Sequence, residues 1–187
     1  LSPLITILFL IGVVIQGWPV FFYHRRLGLN CTPFIMIKFR TMTVGPSLSA
    51  KHDVSRLTAW GRLLRRFSLD ELPALINVIL GNMSLVGPRP LPEKYGPRFN
   101  VYQNRRHAVR PGITGLAQTE GRNLLSWEAK FDYDIHYVEN HNFLIDMRIL
   151  FKTFLQVIKG VGVQPEAQEI MPEFMGSRPM ENKRSSS

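Results

Sequence analysis

Ser68-Leu69-Asp70-Glu71-Leu72-Pro73, continuing as Ala74-Leu75-Ile76-Asn77-Val78-Ile79-Leu80-Gly81, carries both a folding pattern and a chemical one. Leu72, Leu75, Ile76, Ile79 and Leu80 fall at i, i+3, i+4, i+7 and i+8, which predicts one face of a short amphipathic helix. Gly81 stands where a C′ residue belongs. Asp70 and Glu71 then lie in or just before the first turn, where free backbone N–H groups and the positive end of the helix dipole gather. Such a place holds a carboxylate ionised and binds phosphate. Arg62, Arg65 and Arg66 lie just upstream. A purely structural alternative exists, because Ser68-x-x-Glu71 is also a capping box. Pro73 argues against it. A helix capped by Ser68 would put Pro73 at its fifth residue, whereas a start at Leu69 or Asp70 keeps Pro73 in the first turn, where it is better tolerated. The later start is the expectation, and it leaves Glu71 freer for chemistry.

The 187 residues make one domain with room for a real core, and the formal charge of +9 implies anionic partners. Nucleic acid, phosphorylated small molecules and an acidic membrane surface all qualify. A single cysteine, Cys31, excludes an internal disulfide and suits a reducing cytosolic face. No Cys/His spacing suggests zinc.

The chain opens on Leu1 rather than Met, so it is expected to start inside a longer protein. Residues 4–15, LITILFLIGVVI, carry no charge but fall short of the roughly 20 residues a bilayer span needs. A core helix, a re-entrant or interfacial segment, and the end of a truncated span all fit. Ser2-Pro3 precedes this run, Trp18-Pro19 follows it, and His24-Arg25-Arg26 places the next domain on the cytoplasmic side.

Residues 20–23 and 33–39 read as two strands joined through Leu27-Gly28-Leu29-Asn30. A polar loop covers residues 43–53, and a basic helix residues 56–67. Residues 83–86 suggest a third strand. Gly87-Pro88-Arg89-Pro90 is a rigid turn that would hold one guanidinium in place, and Arg suits bidentate phosphate recognition. Residues 99–109 read as helical. Arg110-Pro111-Gly112-Ile113-Thr114-Gly115 is a glycine-rich loop without the Walker A spacing or its Lys-Ser/Thr. Gly121-Arg122-Asn123 is a second Gly/Arg turn, and Ser126 caps a helix ending near Asn140. Residues 143–159 form a long apolar helix, interrupted by charges, that suits a membrane interface or the core. The expected fold is α/β of the helix-rich α+β kind, with a short β-hairpin, an N-terminal re-entrant helix and interfacial amphipathic helices. Its parts are residues 1–19 in the membrane, a catalytic domain at 20–160, and a loose tail at 161–187.

Carboxylates beside Arg-bearing turns and a helix start suit phosphoryl or phosphosugar transfer, with Mg²⁺ offsetting phosphate charge through oxygen ligands. A carboxylate can also serve as a covalent nucleophile on phosphorus. KFRTM (38–42), SLDELPALINVILGNMSLVGPRP (68–90) and RPGITGLAQ (110–118) resemble, in order, the motifs of the bacterial sugar transferase family. These are the monotopic phosphoglycosyl transferases. The resemblance covers nearly the whole chain and looks strongest to the small members, such as the bacillosamine transferase of bacterial N-linked glycosylation.

The resemblance implies transfer of a sugar-1-phosphate, that of an N-acetylated amino sugar, from a UDP-sugar to undecaprenyl or another polyprenol phosphate. UMP is released, Mg²⁺ is the cofactor, and the course is ping-pong. It makes Asp70 the nucleophile and Glu71 its partner in proton handling, with both at the metal. Arg65 and Arg89 would meet phosphates, Arg122 and Asn123 the nucleotide or sugar, and Lys38 the substrate. Ser2-Pro3 would be the break of a re-entrant helix seated among phospholipids on the cytoplasmic face of the bacterial inner membrane. Asn82 departs from the family's Gly-Asp-Met-Ser and is given no metal role. Two other readings compete: a non-catalytic phosphate- or nucleotide-binding module at the membrane, and a nucleic-acid binder, which the apolar N-terminal run argues against.

Overall fold

The computed structural model describes residues 2–45, 55–121, 125–160 and 173–176. It is a helix-rich α/β fold with two small two-stranded sheets. Helix α1 spans Ser2–Gln16, with Pro3 in its first turn, where a missing N–H costs no hydrogen bond. One side of α1 joins the core: Leu8 is buried, and Ile5, Phe9 and Val13 pack on Val20, Phe39 and Leu64. Leu10, Val14 and Ile15 on the other side are exposed. Arg40 closes the C-terminal end of α1, donating to the carbonyls of Gln16 at 2.5 Å and Gly17 at 2.9 Å. No described helix is long and apolar enough to cross a membrane.

Strands β1 (Phe21–Leu27) and β2 (Pro33–Phe39) form the antiparallel hairpin, paired from Phe21↔Phe39 to Leu27↔Pro33. β1 therefore runs beyond the strand end expected near Tyr23. Helix α2 (Ala59–Arg66) starts later than expected: Thr58 caps it by accepting from Gly61 N, while Leu57 pairs in extended form with Met42. Gly61 is required there, because a Cβ would fall 2.0 Å from the Thr41 carbonyl oxygen. That close approach fixes α2 against the exit of β2.

The stretch after α2 departs from its sequence reading. Residues Leu69–Ala74 form a 3₁₀ turn, and α-helix α3 covers only Leu75–Ile79. Pro73 has no N–H, and its ring displaces the carbonyl four residues back, so the tighter turn persists until Pro73 is passed. Ser68 is no cap: it is left-handed at φ 53° and its side chain makes no capping bond. The apolar face is inverted as well. Ile76, Ile79 and Leu80 are 41, 85 and 66% exposed, whereas Pro73, Ala74 and Asn77 are buried. Asn77 holds the segment by its amide, accepting from Ile37 N at 3.1 Å and donating to Ile35 O at 2.8 Å along β2. Gly81, at φ +78°, ends the segment as expected.

Strands β3 (Ser84–Val86) and β4 (Gly112–Thr114) pair in parallel. The glycine-rich loop is thus partly a strand. A Cβ on Gly112 would fall 2.1 Å from Gly87 N, so bare backbone is what lets the two turns touch. The expected helix at 99–109 divides into α4 (Val101–Asn104), with an Asn100/Gln103 capping box, and a 3₁₀ turn over Arg105–Ala108. Helices α5 (Leu116–Glu120), α6 (Trp127–Asn140, capped by Ser126) and α7 (Phe143–Lys159, closed by left-handed Gly160) complete the order. α7 buries Ile149 and exposes Phe143, Leu144, Phe151, Phe154 and Ile158. Of the segment 161–187, expected to be loose, residues 173–176 are described, and Phe174 is only 2% exposed within the aromatic cluster of Tyr95, Phe99 and Phe131.

Candidate active site

Three segments meet at Glu71. Lys38, near the end of β2, lies with Nζ 2.6 Å from Glu71 Oε1. Arg89, in the turn after β3, donates to both oxygens, from Nη2 at 2.5 Å and Nη1 at 3.3 Å. This is the fork that a guanidinium offers a carboxylate. Burial would push the Glu71 carboxyl up, but Arg89 and Lys38 outweigh it and hold the group well below the usual carboxylate range. Arg89 in turn is pushed above its ordinary value, chiefly by the Glu71 charge. Glu71 is therefore not free, contrary to the expectation from a late helix start, and its side chain caps nothing.

Asp70 differs although it is adjacent. Among the described residues its carboxylate makes no hydrogen bond or ion pair, yet the charges of Lys38, Arg65 and Arg89 act on it. Its pKa is raised, first by burial and then by Glu71, against the pull of those cations. The helix end was expected to keep Asp70 ionised. A six-residue 3₁₀ turn offers little aligned dipole, so desolvation decides the direction. Two neighbouring carboxyls are thereby split into an anchored anion and an unanchored, more basic group.

Arg65 is brought to the same place, one turn after Gly61, with Nε donating to Thr41 Oγ1 at 3.1 Å. Lys38, Arg65, Asp70, Glu71 and Arg89 thus converge, while Arg122 and Asn123 lie outside the described residues. Ser2 and Pro3 open α1 and take no part in this cluster.

Several contributors escape sequence reading. Arg26, on β1, donates to Pro90 O at 3.1 Å, and burial together with Arg89 lowers it to about 10. Lys130, on α6, is lowered to about 8 by burial and by Arg89. The buried pair Arg106–Asp134 lies behind Arg89, and Arg106 Nη2 donates to the Arg89 carbonyl at 2.7 Å. Only positive charge in the sequence hinted at these residues, with nothing to aim it.

Among the described residues no three potential His, Cys, Asp or Glu ligands cluster round a metal position. Mg²⁺ needs no such cage: one or two carboxylates completed by water and substrate phosphates suffice, and Asp70 with Glu71 is a hard-oxygen set of that kind. The site is a cation-lined carboxylate pair suited to transferring a phosphate-bearing group.

The model of a protein family described as bacterial sugar transferase matches residues 1–160. The chain belongs to the bacterial sugar transferase family and is a transferase. It is 48% identical over 177 residues to the uncharacterised sugar transferase EpsL of Bacillus subtilis (strain 168), covering 92% of this chain and 88% of the relative. It is 37% identical over 172 residues to the exopolysaccharide production protein ExoY of Sinorhizobium fredii, covering 82% and 76%. A UDP-glucose:undecaprenyl-phosphate glucose-1-phosphate transferase of Xanthomonas campestris pv. campestris is 40% identical over 154 residues, which are 75% of this chain and 32% of that longer protein.

Proposed function

We propose that the protein is a phosphoglycosyl transferase that moves a sugar-1-phosphate from a UDP-sugar to undecaprenyl or a similar polyprenol phosphate, the first membrane step of polysaccharide or glycoconjugate synthesis. One observation carries the mechanism: among the described residues the Asp70 carboxylate makes no hydrogen bond or ion pair although the charges of Lys38, Arg65 and Arg89 act on it, while Glu71 beside it is locked to Lys38 and Arg89. An Asp70 carboxylate oxygen attacks the phosphorus bonded to the sugar. The P–O bond to the α-phosphate breaks and UMP leaves. The polyprenol phosphate oxygen then attacks the same phosphorus, the aspartyl–phosphorus bond breaks, and Asp70 returns to its starting state. Phosphoryl transfer depends mainly on positioning and charge neutralisation. Arg89 and Lys38 supply fixed positive charge, Arg65 adds to it, and the raised basicity of Asp70 suits a nucleophile. Asp70 and Glu71 would hold Mg²⁺, which would offset phosphate charge there. Arg122 and Asn123 are assigned to the nucleotide or sugar.

The exposed apolar surfaces of α1, α3 and α7 suit an interfacial seat among phospholipids on the cytoplasmic face of the inner membrane. Ser2-Pro3 would mark the break of a re-entrant helix there. The donor is proposed to be an N-acetylated amino sugar; the Xanthomonas relative named above uses UDP-glucose by its name.

The test is an intact mass after incubation with a panel of UDP-sugars, UDP-glucose included, without polyprenol phosphate. A gain of one sugar phosphate mapped to Asp70 is the expected result. Turnover without any adduct would replace the covalent course by direct transfer. Unchanged turnover by Asp70→Asn would sink the nucleophile assignment, and the absence of turnover with every donor would favour a binding module.

A further inference from the structure

We propose that residues 173–176 are a positioning element of the active site, acting through Arg106 on Arg89. The inference rests on the phosphoglycosyl-transfer reading for what Arg89 does, but the coupling itself is a matter of packing.

Arg106 is 3% exposed. Its Nε and Nη2 both donate to Asp134 Oδ2, at 3.0 and 2.6 Å. Nη2 also donates to the carbonyl of Arg89 at 2.7 Å. Pro88 and Pro90 already restrict the backbone on either side of Arg89. The bond from Arg106 fixes the carbonyl between them, and with it the root of the side chain that forks onto Glu71. A buried ion pair is costly to desolvate, so its retention behind a site residue invites a role in geometry.

The pair is kept dry by rings. The Arg106 guanidinium carbon lies 5.9 Å from the Phe99 ring centroid and 5.6 Å from that of Phe131. Phe174 closes this layer from outside. It stacks on Phe99 at 5.6 Å and meets Phe131 edge-on at 5.1 Å, with further contacts to Tyr95 and Trp127. The segment is tied down at both backbone and side chain. Arg98 donates to the Phe174 carbonyl, and Glu173 pairs with Lys94 at 2.8 Å and Arg98 at 2.9 Å. Charge-assisted bonds are strong in a dry, low-dielectric setting and weaken when water reaches them. Removing the Phe174 ring opens Phe99 and Phe131 to solvent, frees Arg106 to move, and releases the Arg89 carbonyl. Arg106, Asp134 and Phe174 are positioning residues, because none of them reaches the reacting atoms.

The experiment uses the full chain with isotopically labelled arginine and reads the guanidinium Nε–Hε signals of Arg89 and Arg106. Phe174→Ala is expected to speed solvent exchange at Arg106 about tenfold and to shift the Arg89 signal, while Phe174→Leu, which keeps an apolar plug, retains most of the native spectrum. Arg106→Lys keeps the charge but loses the fork, and is expected to move Arg89 with Phe174 still seated. In turnover measured below the melting temperature, kcat of Phe174→Ala should fall about tenfold, less than the roughly hundredfold that a misplacement of about 1 Å can cost. An Arg89 signal unmoved in folded Phe174→Ala or Arg106→Lys overturns the coupling. So does a lowered melting temperature with full kcat, the mark of a purely structural plug. An inactive wild type would count against the transferase reading alone, because the Arg89 signal reports without turnover.

Discussion

Lys38 Nζ lies 2.6 Å from Glu71 Oε1, joining the end of β2 to the 3₁₀ turn at the residue beside Asp70. Arg89 completes the clamp from the far side of the chain. The anchored carboxylate is therefore the second of the pair, and among the described residues the first has no such anchor. The consequences can be measured.

Glu71→Gln leaves Lys38 and Arg89 without their counter-charge. Removing one partner of a fully buried pair costs about 3–5 kcal/mol, and the partial exposure of Arg89 places this case nearer 2–3. Denaturant unfolding at neutral pH should show that loss. The Glu71 pKa is depressed in the fold, so its stabilisation is present above the unfolded value near ~4.3 and is lost as pH falls through the folded value. Wild-type stability should decline below about pH 5 with a slope that Glu71→Gln lacks.

Asp70→Asn should abolish UMP release and raise the melting temperature at neutral pH. The Asp70 pKa is raised, so the charged form is the penalised one. Native Asp70 gives up stability as pH climbs through its folded value, and a neutral amide avoids the penalty. The gain should vanish below roughly pH 4, where the acid is neutral in both states. Each kcal/mol reads as about 2–4 °C in a domain of this size. Activity of the wild type should fall on the acid side with an apparent pKa above that of an ordinary aspartate.

Arg89→Lys preserves a positive charge but cannot bind both Glu71 oxygens. Turnover should fall roughly tenfold while Glu71 stays paired with Lys38 and the fold survives. Arg89→Ala should lose far more. Steady-state kcat and KM on the same donor distinguish the two.

Chelation by EDTA should stop UMP release, and added Mg²⁺ should restore it. On the proposed function, substrate phosphates would supply most of the Mg²⁺ ligands beside the carboxylates. The melting temperature of the donor-free protein should therefore stay unchanged by EDTA, as differential scanning calorimetry can show.

Local signals in the sequence determine structure well where the physics is local. Ser126 caps α6, because an N-cap acts within a turn of itself, and the helix expected at residues 143–159 matches α7. The strand at 33–39 matches β2 to the residue, and Gly81 ends its segment as expected. Periodicity misled at Ile76, Ile79 and Leu80, since a stripe of apolar residues defines a face without saying which way it turns. Asn77 decided that: its amide reaches the edge of β2, and this turns the stripe outward.

What the sequence by itself determined, then, is the cast of charged groups, the helices with strong caps, and the motifs of the bacterial sugar transferase family. Tertiary structure alone decided which cation serves which carboxylate. Lys38 and Arg89 lie 33 and 18 residues from Glu71, Arg106 lies 28 from Asp134, and Phe174 reaches Phe99 across a segment that composition marked as a tail. Local rules reach three or four residues along a helix or two along a strand. Partners brought together by chain closure obey burial and charge instead, so the same two acidic neighbours became an anchored anion and an unanchored, more basic carboxyl only when the fold had closed round them.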